Sequence, residues 1–170
     1  MTDDTQRKGH THMRKGVLPV TAGLCVLAVT VMMIALLSGG RQESFSPPPF
    51  DAAAQTGAPE VPENAGYGEM DAKAFRFSAA GELEVQDGKT DVWLTNPAGN
   101  TVWLKVRILD ENGDILGESG LIRPGEYVRS VELNSVPQQT TAVSLKIMAY
   151  EPETYYSAGS AVLNTTLKIA

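Results

Sequence analysis

Between Gly16 and Gly40 the chain carries no charged side chain. The centre of that run, Val17–Leu37, reads VLPVTAGLCVLAVTVMMIALL. A helix rises about 1.5 Å per residue, so about 20 apolar residues cross a hydrocarbon core of roughly 30 Å. The run is long enough, and it predicts a transmembrane helix over residues 17–38. Everything else must be arranged around that helix: a short tail over residues 1–16 and a long C-terminal part over residues 39–170.

Orientation follows from charge. Arg7, Lys8, Arg14 and Lys15 precede the run, and Arg41 alone follows it closely. The positive-inside rule then puts the N-terminus in the cytoplasm and the C-terminal part outside, as a single-pass cell-membrane protein. Pro19 falls in the first turn, where a missing N–H is tolerated. A cleaved signal peptide is the alternative, since Ser38-Gly39-Gly40 offers small residues to a peptidase. Signal-peptide apolar regions usually run about 7–15 residues, so a retained signal-anchor is expected. A lipoprotein signal does not fit, because Leu24 stands before Cys25 where a small residue is required. The tail holds both histidines, His10 and His12, with no further metal ligands beside them. It is too short to fold alone and reads as a solvated, topology-setting segment.

Cys25 is the chain's one cysteine, so no intramolecular disulfide and no cysteine-based metal site can form within it. An exported domain without disulfides suits a bacterial cell envelope. Net charge is −6, and residues 73–170 carry nine basic against twelve acidic side chains. Nothing after the helix is a basic patch, which argues against nucleic acid as a partner.

Residues 39–72 are rich in Pro, Ala, Gly and acids, with Pro47-Pro48-Pro49 in their first half. They show no sustained apolar period. They predict a disordered, partly stiff stalk.

From Lys73 the pattern changes to short alternating runs broken by turn residues. Candidate strands are Phe75–Ser78, Thr90–Asn96, Thr101–Leu109, Ile115–Ser119, Glu126–Leu133, Thr141–Tyr150 and Ala161–Ile169. Between them stand Asp87-Gly88, Asn96-Pro97, Asn112-Gly113 and Pro124-Gly125, all turn signals. About seven strands with turns every 8–12 residues predict an immunoglobulin-like antiparallel β-sandwich over residues 73–170, each sheet with one wet face.

The run Asp110–Val128, DENGDILGESGLIRPGEYV, resembles a pattern in small membrane-anchored, immunoglobulin-like proteins of Gram-positive bacteria. In that pattern a hairpin carrying Gly113, Ile115 and Leu116 leads into Ser119-Gly120-Leu121-Ile122 and then Pro124-Gly125. The Asn96-Pro97 turn also fits. The resemblance implies fold and topology, and carries no catalytic or binding residue across.

Residues 73–170 contain neither His nor Cys, which removes serine and cysteine triads and histidine-based zinc sites. The acids fall mostly in turns, where solvation accounts for them, so no enzyme and no cofactor is expected. Asp110, Asn112 and Asp114 have the first spacing of an EF-hand loop, but Ile115 and Leu121 stand where its Gly and Glu are needed, so no metal site is expected. The remaining chemistry is aromatic: Trp93, Trp103, Tyr155 and Tyr156 are the candidate ligand-binding residues. If Val92, Leu94, Val102 and Leu104 face the core, parity turns both tryptophans outward as a binding platform. If parity is reversed, they are core. The reading is a non-catalytic extracytoplasmic interaction module, accessory to a cell-envelope or secretion-type assembly and partnered by other envelope proteins. The rival is a carbohydrate-binding module held near a cell-wall glycan.

Overall fold

The structure is a computed structural model, and it describes residues 45–169. The tail, the apolar run and the first residues of the expected stalk lie outside the described residues. Among the described residues no helix is long and apolar enough to cross a membrane.

The described chain is all-β. Its strands are β1 (Gln55–Thr56), β2 (Gly68–Asp71), β3 (Arg76–Ala79), β4 (Leu83–Gln86), β5 (Lys89–Thr95), β6 (Trp103–Leu109), β7 (Ile115–Glu118), β8 (Glu126–Glu132), β9 (Thr141–Tyr150) and β10 (Ser157–Ile169). They hydrogen-bond in the order β1-β8-β5-β4-β10-β9-β6-β7, with a β2–β3 hairpin attached to β5. The sheet curls, so that β7 at its far end meets the residue directly after β8 through a Gly117–Leu133 bridge. Two halves therefore face each other, an arrangement consistent with a β-sandwich.

Alternation builds the core between them. β6 sends Leu104, Val106 and Ile108 inward, and β9 sends Val143, Leu145, Ile147 and Ala149. Leu83, Val92, Leu94, Val128 and Val131 close the core from the other half. Removing such side chains from water supplies roughly 1.5–3 kcal/mol each before the entropy of ordering is counted.

Turn chemistry sets the registers. Asp87 and Gly88 are both left-handed, at φ 50° and 75°, which makes the two-residue turn that pairs Gln86 with Lys89. In the β6–β7 turn the Asp110 carboxylate accepts the N–H groups of Asn112 and Asp114 at 2.9 and 2.8 Å. Those backbone donors, Asp114 first, hold the Asp110 carboxyl below its ordinary pKa. At Arg123–Glu126 the Glu126 N–H donates to the Arg123 carbonyl at 3.0 Å and Gly125 takes φ 82°, as the Pro-Gly pair requires.

The expected stalk needs correction from Ser46 onward, because the compact unit begins there rather than at Lys73. Phe50 makes a parallel bridge with Leu121, β1 pairs with β8, and β2 pairs with β3. Composition suggested a spacer because short pieces of two to four residues carry no periodicity of their own. They are ordered by the strands and loop they pair with.

Three strands were therefore not anticipated: β1 and β2 within the expected stalk, and β4. In β4 only Leu83 and Val85 are apolar, too few to register as alternation.

Asn96, expected as a loop residue, is fully buried. Its amide donates to the carbonyls of Val102 and Ile122 at 2.9 and 3.1 Å, and its Oδ1 accepts from Asn100 at 2.7 Å. Every polar atom of the side chain is partnered, so burial costs little.

Candidate functional site

The four aromatic candidates do not form one site. Trp103 and Tyr155 touch, with ring centroids 5.2 Å apart in an edge-on arrangement. Trp93 lies on β5, in the other half of the fold. Tyr156 is 72% exposed.

Trp93 follows neither alternative that parity allowed. Asp91 pairs with Ser130 and Leu94 with Val128, so Val92 and Trp93 both stand opposite Arg129. This two-against-one count is a β-bulge, and Trp93 takes φ 47° within it. A left-handed backbone at a bulky residue is an outlier that costs of order 1–3 kcal/mol. As a result Val92, Trp93 and Leu94 are all buried, and Trp93 is only 6% exposed. Tyr127 stacks on its ring at 6.3 Å, and the Arg129 guanidinium lies 5.0 Å from its centroid while pairing with Asp91 at 2.9 Å.

Beside that ring runs an open groove of about 860 Å3 over the outer face of β4, β5 and β8. Trp93, Arg129 and Asp91 form one wall, and Glu84, Lys89 and Lys168 are among the charged side chains around it. Lys168 bonds to Glu82, and that hydrogen bond raises the lysine's pKa. The walls mix both signs of charge, which suits a polar macromolecular surface better than a small apolar ligand.

Trp103 does point outward from β6, but it is covered. The Phe50 ring meets it edge-on at 4.8 Å, and the Arg123 guanidinium caps Phe50 at 3.6 Å. Phe50 is held by backbone bonds on both sides: Asp51 N–H donates to the Leu121 carbonyl, and Leu121 N–H to the Pro49 carbonyl, each at 2.9 Å. The Asp51 carboxylate also accepts the Gly120 N–H at 2.8 Å. Edge-on rings do not make the flat platform on which a sugar stacks. Sequence alone does not single out Phe50, because it sits in a stretch whose composition predicts a stalk. The signal available was one large apolar residue directly after three prolines.

Farther along the same face Lys105 is buried, 5% exposed, with its ammonium 2.9 Å from Glu118. Arg107 bonds the other oxygen of that carboxylate at 2.8 Å. Partial burial pushes the Glu118 pKa up, but the hydrogen bonds from Lys105 and Arg107 outweigh it and hold the group below its ordinary value. Among the described residues no cluster of three or more His, Cys, Asp or Glu is placed to hold a metal ion.

What the fold defines is a class, an all-β module whose curled sheet is consistent with a β-sandwich. No family model matches the chain, and no curated protein matches it. Among solved structures it is similar to CopC from Methylosinus trichosporium OB3b, at 12% identity over 61% of this chain and 94% of that chain, with a TM-score of 0.35. A likeness that distant carries no argument about ligand or activity.

Proposed function

We propose that the chain is a non-catalytic, membrane-anchored interaction module with an immunoglobulin-like sandwich displayed outside the cytoplasmic membrane, an accessory of a cell-envelope or secretion-type assembly. Connectivity supports the immunoglobulin-like part. β5 lies beside β8, β6 beside β9, β9 and β10 form a hairpin, and β4 runs parallel to the end of β10. The anchor rests on the uncharged run at Val17–Leu37 and its flanking charges.

The observation that carries the binding reading is the strained Trp93 beside the open, charge-lined groove. Strained backbone persists where the surrounding structure over-determines it, and it gathers at ligand clamps and binding surfaces. Affinity purification of the tagged full chain from native membranes tests this. Envelope proteins should co-purify, and Arg129→Glu should lower their yield while Tyr156→Ala should not. Capture that ignores Arg129→Glu would remove the groove from the account.

The carbohydrate reading keeps one supporting observation, the exposed ring of Tyr156. Retention of the full chain on cell-wall glycan, abolished by Tyr156→Ala, would favour it.

A further inference from the structure

Among the described residues, β10 has two neighbours only at its end. β9 pairs with it from Ser157 to Leu167, but β4 joins the opposite side only over Leu167–Ile169. A register irregularity at Ser157/Gly159 bounds the regular strand at one end, and the Thr165 hydroxyl bonds to the Gly81 carbonyl at the other. Among the described residues, Ser160–Asn164 is left as a regular, one-sided edge. A free edge presents unpaired N–H and C=O groups, and natural proteins usually guard it with charge or proline. The free edge at β2 follows that rule, with Glu69 and Asp71. From Ser157 to Leu167 there is no charged residue and no proline. Val162, in the middle, is 59% exposed.

We propose that Ser160–Asn164 is a self-association edge, pairing antiparallel with the same segment of a second copy about a two-fold axis at Val162. The sequence is self-complementary in that register. Val162 meets its own counterpart, Ser160 meets Asn164, and Ala161 meets Leu163, so neutral polar faces neutral polar and apolar faces apolar. Ala161 and Leu163 already pack against the core while half-buried, so the added strand extends a core that ends abruptly here. Charge permits the pairing. The nearest cation on the outer face is Lys146, the partner of Val162 on β9. The two Lys146 side chains would stand three strand spacings apart, roughly 14 Å, beyond a Debye length of about 8 Å at physiological salt. A second copy is also the partner certain to offer a strand of matching length and neutrality. On the anchored reading above, confinement of both copies to one membrane raises their effective concentration, although the pairing itself does not depend on it.

Cysteine cross-linking of the full chain tests the register. In a Cys25→Ser background, Val162→Cys should give a disulfide-linked dimer under mild oxidation. Asn164→Cys, on the same face but about 13 Å from its counterpart by strand rise, should give none. Val162→Lys should abolish dimers in sedimentation of the solubilised chain without changing its melting temperature. Equal cross-linking at both positions, no cross-link at either, or a dimer that survives Val162→Lys each overturns the proposal. Membrane fractionation reports on the anchor separately. A chain recovered as soluble protein overturns that reading, and the cross-link is then read in the soluble fraction.

Discussion

Two tryptophans stand in nearly the same local sequence, Val92-Trp93-Leu94 and Val102-Trp103-Leu104, and reach opposite fates. Trp103 obeys the strand alternation, turns outward from regular β6, and is then roofed by Phe50 from a segment some fifty positions earlier in the chain. Trp93 departs from the alternation, because an extra residue in β5 lets three consecutive apolar side chains be buried. Inside-outside parity thus decides a side chain's fate only where the ladder is regular and nothing later covers the face. Both conditions are tertiary.

Substitutions can break that contrast. The largest effect is expected at Trp93. Replacing a buried tryptophan by alanine costs about 3–5 kcal/mol, a large share of the roughly 5–15 kcal/mol of a small domain. Trp93→Ala should therefore lower the melting temperature far more than Trp103→Ala. Equal losses would mean that the Phe50 roof makes Trp103 as much a core residue as Trp93.

Next comes the roof itself. A Cβ at Gly120 would lie 2.4 Å from the Asp51 backbone nitrogen, so Gly120→Ala must displace the strap that carries Phe50. Overpacking of this kind costs about 1–3 kcal/mol. In a Trp93→Phe background, Trp103 emission should shift to the red; in a Trp103→Phe background, Trp93 emission should stay unchanged. A shift in both would show that the two halves do not respond independently.

Gly125 tests the Trp93 side. It sits at φ 82° in the turn feeding β8, the strand that brings Tyr127 and Arg129 to Trp93. Gly125→Val should cost about 1–3 kcal/mol, read as a lowered melting temperature, and Gly125→Asn should cost less because Asn tolerates the left-handed region. If both variants melt like the parent, the turn does not set the β8 register.

The smallest effect is a pH dependence on the Trp103 face. The Glu118 pKa is lowered in the folded state, so its stabilisation is present above the unfolded carboxylate pKa and is lost as pH falls through the folded value. The carboxylate is partly exposed, so the amplitude should be small. Glu118→Gln should flatten the acid limb of a melting-temperature profile below the ordinary carboxylate range. An unchanged limb would mean that other carboxylates carry it.

Much of this fold was legible in advance. The long alternating runs of β6 and β9 and the Asp87-Gly88 and Pro124-Gly125 turns carry their own periodicity and chemistry, and the structure places them where the pattern does; β8 lies where expected, but opposite the β5 bulge it buries Val128 and Val131 instead of one alternating face. Outlying pieces were not legible. β1 and β2 exist because β8 and β3 offer them partners, and no residue within Gln55–Thr56 could announce that. Buried Asn96 was hidden for a related reason: its three partners lie at Val102, Ile122 and Asn100. The spatial grouping of the aromatic candidates was half legible. Trp103 and Tyr155 do come together, while Trp93 belongs elsewhere and Phe50 was hidden by three prolines. A bulge that re-aims one side chain leaves no mark in a pattern of apolar residues.

The strap has a mechanical consequence. Pro49–Asp51 reaches Leu121 and Gly120 through three hydrogen bonds and Trp103 through one aromatic contact, and among the described residues it precedes every strand in the chain. Tension applied from the N-terminal side meets these bonds before it meets either half of the sandwich. Placed so, they would act as a fuse in series with the domain. If these bonds yield first under load, a pulling measurement should record a short early extension that bares the Trp103 ring before the paired strands open.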